Sequence, residues 1–183
     1  CGSSLKAVMM AANSIRAGEY NVIVAGGMES MTNTPYFAQK ISRTEFSELK
    51  PSMIHDGLWD VYNDEHMGNT GETISKEFEI SRGAADAFSL RSHQLAQAAW
   101  DNGWMDFETF SVGELHHDEG IQTNTDLESL SQMKAAFVEN GFVTAGNASQ
   151  LSDGAAAVLV ANRSTAEAND WPILATITDY CTS

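Results

Sequence analysis

Basic residues are scarce in this 183-residue chain, with 10 Lys and Arg against 25 Asp and Glu and a formal net charge of −15. A surface of that sign repels phosphate backbones and anionic lipid, which argues against nucleic-acid binding and against a membrane-surface role. Cysteine is nearly absent. Only Cys1 and Cys181 occur, so no disulfide framework is expected. The five histidines make no His-x-x-x-His pattern and no Cys-x-x-Cys accompanies them, so no metal site is expected. Neither Gly-x-Gly-x-x-Gly nor Gly-x-x-x-x-Gly-Lys-Ser/Thr occurs, and nucleotide folds of those kinds have no support. The longest apolar run, Ala155 to Ala161, is far too short to span a bilayer. No leader or basic transit segment is read, and the cytoplasm is the default compartment. The chain opens on Cys rather than Met, from which a fragment of a longer protein is expected.

What is present is the composition of a globular domain, large enough to bury a core without staples. Cys1-Gly2-Ser3-Ser4 leads into Leu5, Val8, Met9, Ala12 and Ile15 at helical spacing, with Gly18 as the stop. Tyr20 to Ala25 reads as a buried, parallel strand that ends at Gly26-Gly27. From Met28 to Asn69 the periodicity fades, and a long irregular segment with short elements is expected there. Thr70 to Glu79 reads as a short helix, and Ser81 caps a longer one that Asn102-Gly103 ends. Phe110 to Leu115 and Ile173 to Asp179 read as strands, and Ser164 to Asn169 as a short helix. The small residues from Val143 to Ser149 form a loop before a buried strand at Ala155 to Ala161. The class is α/β with an irregular insertion and no repeats. Between Ser92 and Met133 there are eight acids and no Lys or Arg. That run lacks the dense Asp/Asn alternation of a calcium loop and reads as a solvated face.

Cys1 is the residue best placed for chemistry. Helix N–H groups and the helix dipole favour negative charge there, a setting that lowers a thiol pKa from about 8.5 to roughly 3.5–7.5. Those N–H groups also suit an oxyanion. An incidental cysteine is the competing reading. Cys181 reads as a structural free thiol. His93 reads as a surface residue, and His116-His117 as hydrogen-bonded within the acidic stretch. His66 differs, because it stands beside Met67-Gly68 at the end of the irregular segment, where either a binding loop or a structural role fits.

Four collinear motifs carry a family resemblance. Cys1-Gly2-Ser3-Ser4-Leu5-Lys6-Ala7 is similar to the acylated-cysteine motif of thiolases, and Val24-Ala25-Gly26-Gly27-Met28-Glu29-Ser30-Met31 to their next strand and turn. Asp56-Gly57-Leu58 with His66-Met67-Gly68 resembles their substrate-loop motifs. Asn147-Ala148-Ser149 with Asp153-Gly154-Ala155-Ala156-Ala157 resembles the motif that returns to the core. Within the family the match is nearest the biosynthetic acetyl-CoA acetyltransferases.

The resemblance implies the layered αβαβα thiolase fold, central part only, with an inserted loop domain. Residues 1–30 would end the N-terminal half with the nucleophile helix and the following strand. Residues 31–149 would be the loop domain that covers coenzyme A, and 150–183 would return to the N-terminal core and begin the C-terminal half. The implied chemistry is ping-pong through an acetyl-Cys1 thioester, with acetyl-CoA and acetoacetyl-CoA as partners and coenzyme A as substrate or product rather than cofactor. Ser149 would hydrogen-bond the pantetheine, Leu58, Met67 and Phe137 would line its apolar channel, and His66 would stand near the thioester. The segment from Pro35 to Ile54 resembles the family's assembly loop, which implies a homodimer or homotetramer. Ser4 stands where the family usually has Gly and is expected to add a Cβ in a tight turn. The family's Asn-Glu-Ala-Phe and Gly-His-Pro motifs and its second catalytic Cys have no counterpart in these 183 residues, and Cys181 does not replace that Cys. These residues alone are therefore expected to turn over little or nothing. Three other readings are a non-catalytic thiolase-fold protein that binds acyl-CoA, a ketoacyl synthase, and an N-terminal-nucleophile hydrolase. The last conflicts with the helical spacing after Cys1, since that fold carries its nucleophile on a strand.

Overall fold

In a computed structural model that describes residues 1–182, the order is α1 (Ser3–Arg16), β1 (Val22–Ser30), β2 (Tyr36–Phe37), β3 (Lys50–Pro51), a π-helical turn (Met53–Leu58), β4 (Trp59–Asp60), β5 (Glu65–His66), α2 (Met67–Glu77), α3 (Arg82–Asp101), α4 (Leu127–Ser131), β6 (Asp153–Ala161) and α5 (Arg163–Ala168). Two compact units result. One joins Cys1–Thr34 to the segment from Ser152 onward, and the other is Pro35–Leu151.

The first unit starts where small residues allow a helix to begin. Gly2 occupies the N-cap without a side-chain bond, and the Lys6 N–H donates to the Gly2 carbonyl at 2.9 Å. Ala11, Ala12 and Ile15 form the buried stripe. Gly18, at φ +77°, takes the left-handed turn that ends the helix. Ser4 lies inside the first turn of α1, not in a tight turn as expected, and its side chain faces Gly27 of β1. A Cβ at Gly27 would collide with it.

β1 runs on to Ser30 instead of stopping at Gly26-Gly27. The residues opposite, Ala157, Ala156, Ala155 and Gly154 of β6, are small enough to keep the ladder closed. The pairing is antiparallel, Val22↔Ala161 through Ser30↔Asp153, which corrects the parallel expectation. The reason is topological: the chain leaves β1 at Ser30 and re-enters β6 opposite that same residue, so the whole excursion is one long hairpin loop. The strands are also less buried than expected. Ala25 is covered on the side of Gly27 and α1, whereas Val24 and Met28 point to the other face and are 70% and 71% exposed. Only one layer covers this two-stranded sheet among the described residues.

Ile173 to Asp179 is not a strand. It runs extended beside α1 with its carbonyls bound by a side chain, Arg16 Nη2 donating to Ile177 O at 3.0 Å and Thr178 O at 3.3 Å. No strand lies alongside it to form a ladder among the described residues. Phe110 to Leu115 is likewise a tight turn, with Val112 and Leu115 exchanging both backbone hydrogen bonds around Gly113 at φ +61°.

The second unit contains the irregular segment, resolved into the small ladders Tyr36↔Pro51 and Trp59↔His66. α3 matches its sequence signals, whereas α2 spans Met67–Glu77 rather than Thr70 to Glu79 because His66 supplies its cap, and α4, capped by Asp126, lies where no helix was expected. α3 starts at Ser81, whose Oγ accepts from the Ala84 N–H at 3.2 Å, and ends at Asn102 with Gly103 at φ +70°. All eight acids of the basic-free stretch are exposed. No described helix is long and apolar enough to cross a membrane.

Candidate active site

In the first unit Cys1 is exposed and immediately precedes the α1 N-cap. Because the first backbone bond of the helix is donated by Lys6, the N–H groups of Ser3, Ser4 and Leu5 have no helical acceptor. No side chain caps them and no acid sits in the first turn. The partial positive charge of the helix end is therefore left open beside the thiol. Glycine at position 27 lets β1 lie against this first turn. The C-terminal tail runs back along α1: Tyr180 Oη donates to Asn13, and Lys6 Nζ donates to Thr182 Oγ1 at 2.8 Å. Cys181 rides on this tail and is exposed.

In the second unit His66 ends β5 and is the N-cap of α2. Its Nδ1 accepts from the Gly68 N–H at 3.0 Å, and its half-buried ring stacks on Phe137 with centroids 4.9 Å apart and planes at 27°. A Cβ at Gly68 would run into the Phe137 ring, so glycine there makes the stack possible. Met67 follows and is 40% exposed, as is Phe137. Leu58 is half-buried at the end of the π-helical turn, next to Trp59, the ladder partner of His66. The described contacts thus gather His66, Met67, Phe137 and Leu58's neighbour. Ser149 is exposed and has no hydrogen-bond partner among the described residues.

Ser149 follows a turn that is held by Asn147 of its own motif together with Asp86, Arg82, Glu72 and Ser89, which the sequence reading did not single out. Asn147 closes it: Oδ1 accepts from the Thr144 N–H at 2.8 Å, while Nδ2 donates to Phe142 O and to Asp86 Oδ1, both at 2.9 Å. Asp86 is 2% exposed and is neutralised by Arg82 Nε at 2.8 Å. Arg82 also donates through Nη2 to the carbonyls of Leu130 and Met133. The Glu72 carboxylate takes the N–H groups of Phe142 and Val143, each at 2.8 Å, and Ser89 Oγ donates to Gly146 O at 2.7 Å. The available signal was Arg82 and Asp86 four residues apart on α3, a spacing that also describes any surface ion pair.

Three carboxylates are held below the usual range by hydrogen bonds. Asp153, at the start of β6, accepts from the Thr32 hydroxyl and N–H and from Ser30 Oγ. Asp60 is stabilised by the Asn63 side chain and the Tyr62 and Asn63 N–H groups, and Asp126 by its capping box with Ser129. Of the other histidines, His93 is half-buried rather than superficial, accepting from the Gln122 N–H at 3.2 Å. His116 bonds Ser111 at 2.8 Å, and His117 packs edge-on against Trp100.

This fold is shared by solved thiolases. An acetyl-CoA acetyltransferase from Syntrophomonas wolfei superposes with a TM-score of 0.87 at 32% identity, covering 93% of this chain and 45% of that one. Human mitochondrial 3-ketoacyl-CoA thiolase, solved in complex with CoA, gives 0.86 at 30% identity over 94% and 45%. The sequence matches the thiolase N-terminal domain family over residues 1–164, and the chain belongs to the thiolase family. It is 42% identical to acetyl-CoA acetyltransferase of Pseudomonas aeruginosa over 195 aligned positions, and 44% identical to that of Cupriavidus necator over 193. These alignments take in 100% and 98% of this chain, which spans about half the length of either relative.

Proposed function

We propose that the complete protein is an acetyl-CoA C-acetyltransferase acting by a ping-pong Claisen condensation. The observation that carries this is Cys1 at the open N-terminal end of α1 in a chain of this family. The Cys1 thiolate attacks the carbonyl carbon of acetyl-CoA. A tetrahedral oxyanion forms and collapses, expelling the CoA thiolate, which takes a proton, and leaving acetyl on Cys1. A second acetyl-CoA loses an α-proton to a base outside these residues. Its carbanion attacks the acetyl-Cys1 carbonyl, a carbon–carbon bond forms, and the Cys1 thiolate leaves as acetoacetyl-CoA is released. The reverse sequence is thiolysis.

In this reading the second unit holds the pantetheine arm. Leu58, Met67 and Phe137 supply apolar walls, Ser149 a hydroxyl that is not committed elsewhere among the described residues, and His66 stands at the thioester end. Coenzyme A is substrate and product, not a resident cofactor. The exposed Tyr36, Ile41, Phe46 and Leu49 support an assembly role for 35–54, and hence a homodimer or homotetramer. The relatives' names favour this over a non-catalytic acyl-CoA binder, a ketoacyl synthase or an N-terminal-nucleophile hydrolase.

Two variants of the complete protein test it. Cys1→Ala is expected to abolish exchange of labelled CoA into acetyl-CoA with the fold intact by circular dichroism, and surviving exchange overturns the assignment. Ser149→Trp is expected to raise KM for acetyl-CoA with a smaller change in kcat. An unchanged KM removes Ser149 from the binding set.

A further inference from the structure

Resting on the reading of His66 as a substrate-side residue, we propose that His66 is a fixed neutral hydrogen-bond donor, its proton on Nε2, serving a carbonyl oxygen of the acyl-CoA, and that Phe137 and Gly68 are the positioning residues that fix it. A histidine has two ring nitrogens, and what one of them bonds dictates the state of the other. Here Nδ1 accepts the Gly68 N–H at 3.0 Å, so its lone pair is occupied and it carries no proton. The neutral ring must then carry its proton on Nε2. The imidazolium, with N–H on both sides, would set Nδ1–H against Gly68 N–H and break the α2 cap.

The same bond defines what His66 does not do. A general base needs a free lone pair, and the only one on this ring is taken by the backbone. Nε2–H is left as a donor. It has no partner among the described residues, and no unsatisfied side-chain nitrogen or oxygen among them is buried, so a visiting acceptor can reach it.

The ring's direction is fixed as well. Rotation about the Cβ–Cγ bond would break the Gly68 contact and unstack the ring from Phe137, which lies 4.9 Å away at 27°. Phe137 comes that close because Gly68 has no Cβ to obstruct it. One glycine therefore does two things, its N–H choosing the tautomer and its missing side chain admitting the aromatic that holds the ring. A donor fixed before the acceptor arrives loses less orientational freedom on binding than a rotating one.

The test begins with long-range 1H–15N correlation of the His66 ring in the complete 15N-labelled protein at neutral pH. A pyridine-like Nδ1 and a protonated Nε2 are expected. A protonated Nδ1, or fast averaging of both tautomers, overturns the proposal. Phe137→Ala and Gly68→Ala are each expected to give averaged ring signals and about a tenfold loss of kcat, with KM for acetyl-CoA less changed in Gly68→Ala and also raised in Phe137→Ala, whose ring lines the pantetheine channel. Phe137→Tyr should restore the single tautomer and most of the rate. Wild-type signals and kcat in Phe137→Ala would remove its positioning role. If a variant does not fold, the wild-type tautomer alone decides. Absence of acetyl transfer in the wild type would sink the proposed function and leave the tautomer standing, whereas Nδ1–H with intact acetyl transfer would sink this proposal alone.

Discussion

In the unit built on α1, β1 and β6, backbone does most of the joining: nine residues of β1 face nine of β6 in unbroken register, and one helix lies on small residues of the sheet. In the unit from Pro35 to Leu151 the joining falls to side chains that seize backbone. Glu72 takes two N–H groups, Arg82 two carbonyls, and Asn147 an N–H and a carbonyl. The contrast follows from chemistry. Long regular strands satisfy their own polar groups, whereas short elements and turns leave theirs orphaned and must recruit partners. A unit held by ladders tolerates loss of a polar side chain, and one held by clamps does not.

The largest expected effect is therefore at Asp86. Asp86→Ala strands Arg82 and frees Asn147 from one of its partners. It is expected to cost about 2–4 kcal/mol, at the lower side of the range for a broken buried pair because Arg82 can turn towards water. Chemical denaturation of the complete protein reads this, and a loss below about 1 kcal/mol would mean that the clamp does not hold its unit. Next comes the contact that the ladder unit does depend on. Gly27→Ala drives a Cβ into Ser4 and is expected to cost about 1–3 kcal/mol, with Ser4→Gly recovering part of it. Additive effects in that double-mutant cycle would contradict the close approach.

The smallest effect is the pH dependence of the Ser30–Asp153 end of the ladder. Hydrogen bonds, first from the Thr32 hydroxyl, depress the Asp153 pKa in the folded state. Its contribution is thus fully present above the usual carboxylate range near pH 4, and is lost as pH falls through the depressed value. Asp153→Asn is expected to lower thermal stability slightly near pH 7, where the contribution is present, and to converge on the wild type in acid, which flattens the acid limb. An unaltered acid limb would show that the group is not coupled to folding.

The same contrast explains what could be read from sequence. α1, α3 and the run Ala155 to Ala161 were legible because periodicity, caps and composition are local signals, and Ser81 and Gly103 stand where their chemistry requires. The antiparallel pairing was not legible, because the direction of β6 depends on where a long excursion re-enters rather than on the strand's own residues. Ile173 to Asp179 has strand composition but no strand beside it in the described structure, and Arg16 takes its carbonyls instead. At the site, Cys1 and the His66-Met67-Gly68 run stood out as motifs. The Phe137 stack and the Asp86–Asn147 clamp join residues dozens of positions apart, and only folding brings them together.

Under the proposed function Cys1 carries the acyl group. The most direct measurement is acid-quenched peptide mass spectrometry of the complete protein after brief exposure to acetyl-CoA. One acetyl group on Cys1 is expected, removed when free CoA is added before the quench. An unmodified Cys1 in protein that still forms acetoacetyl-CoA, or an acetyl group that free CoA does not remove, would contradict it.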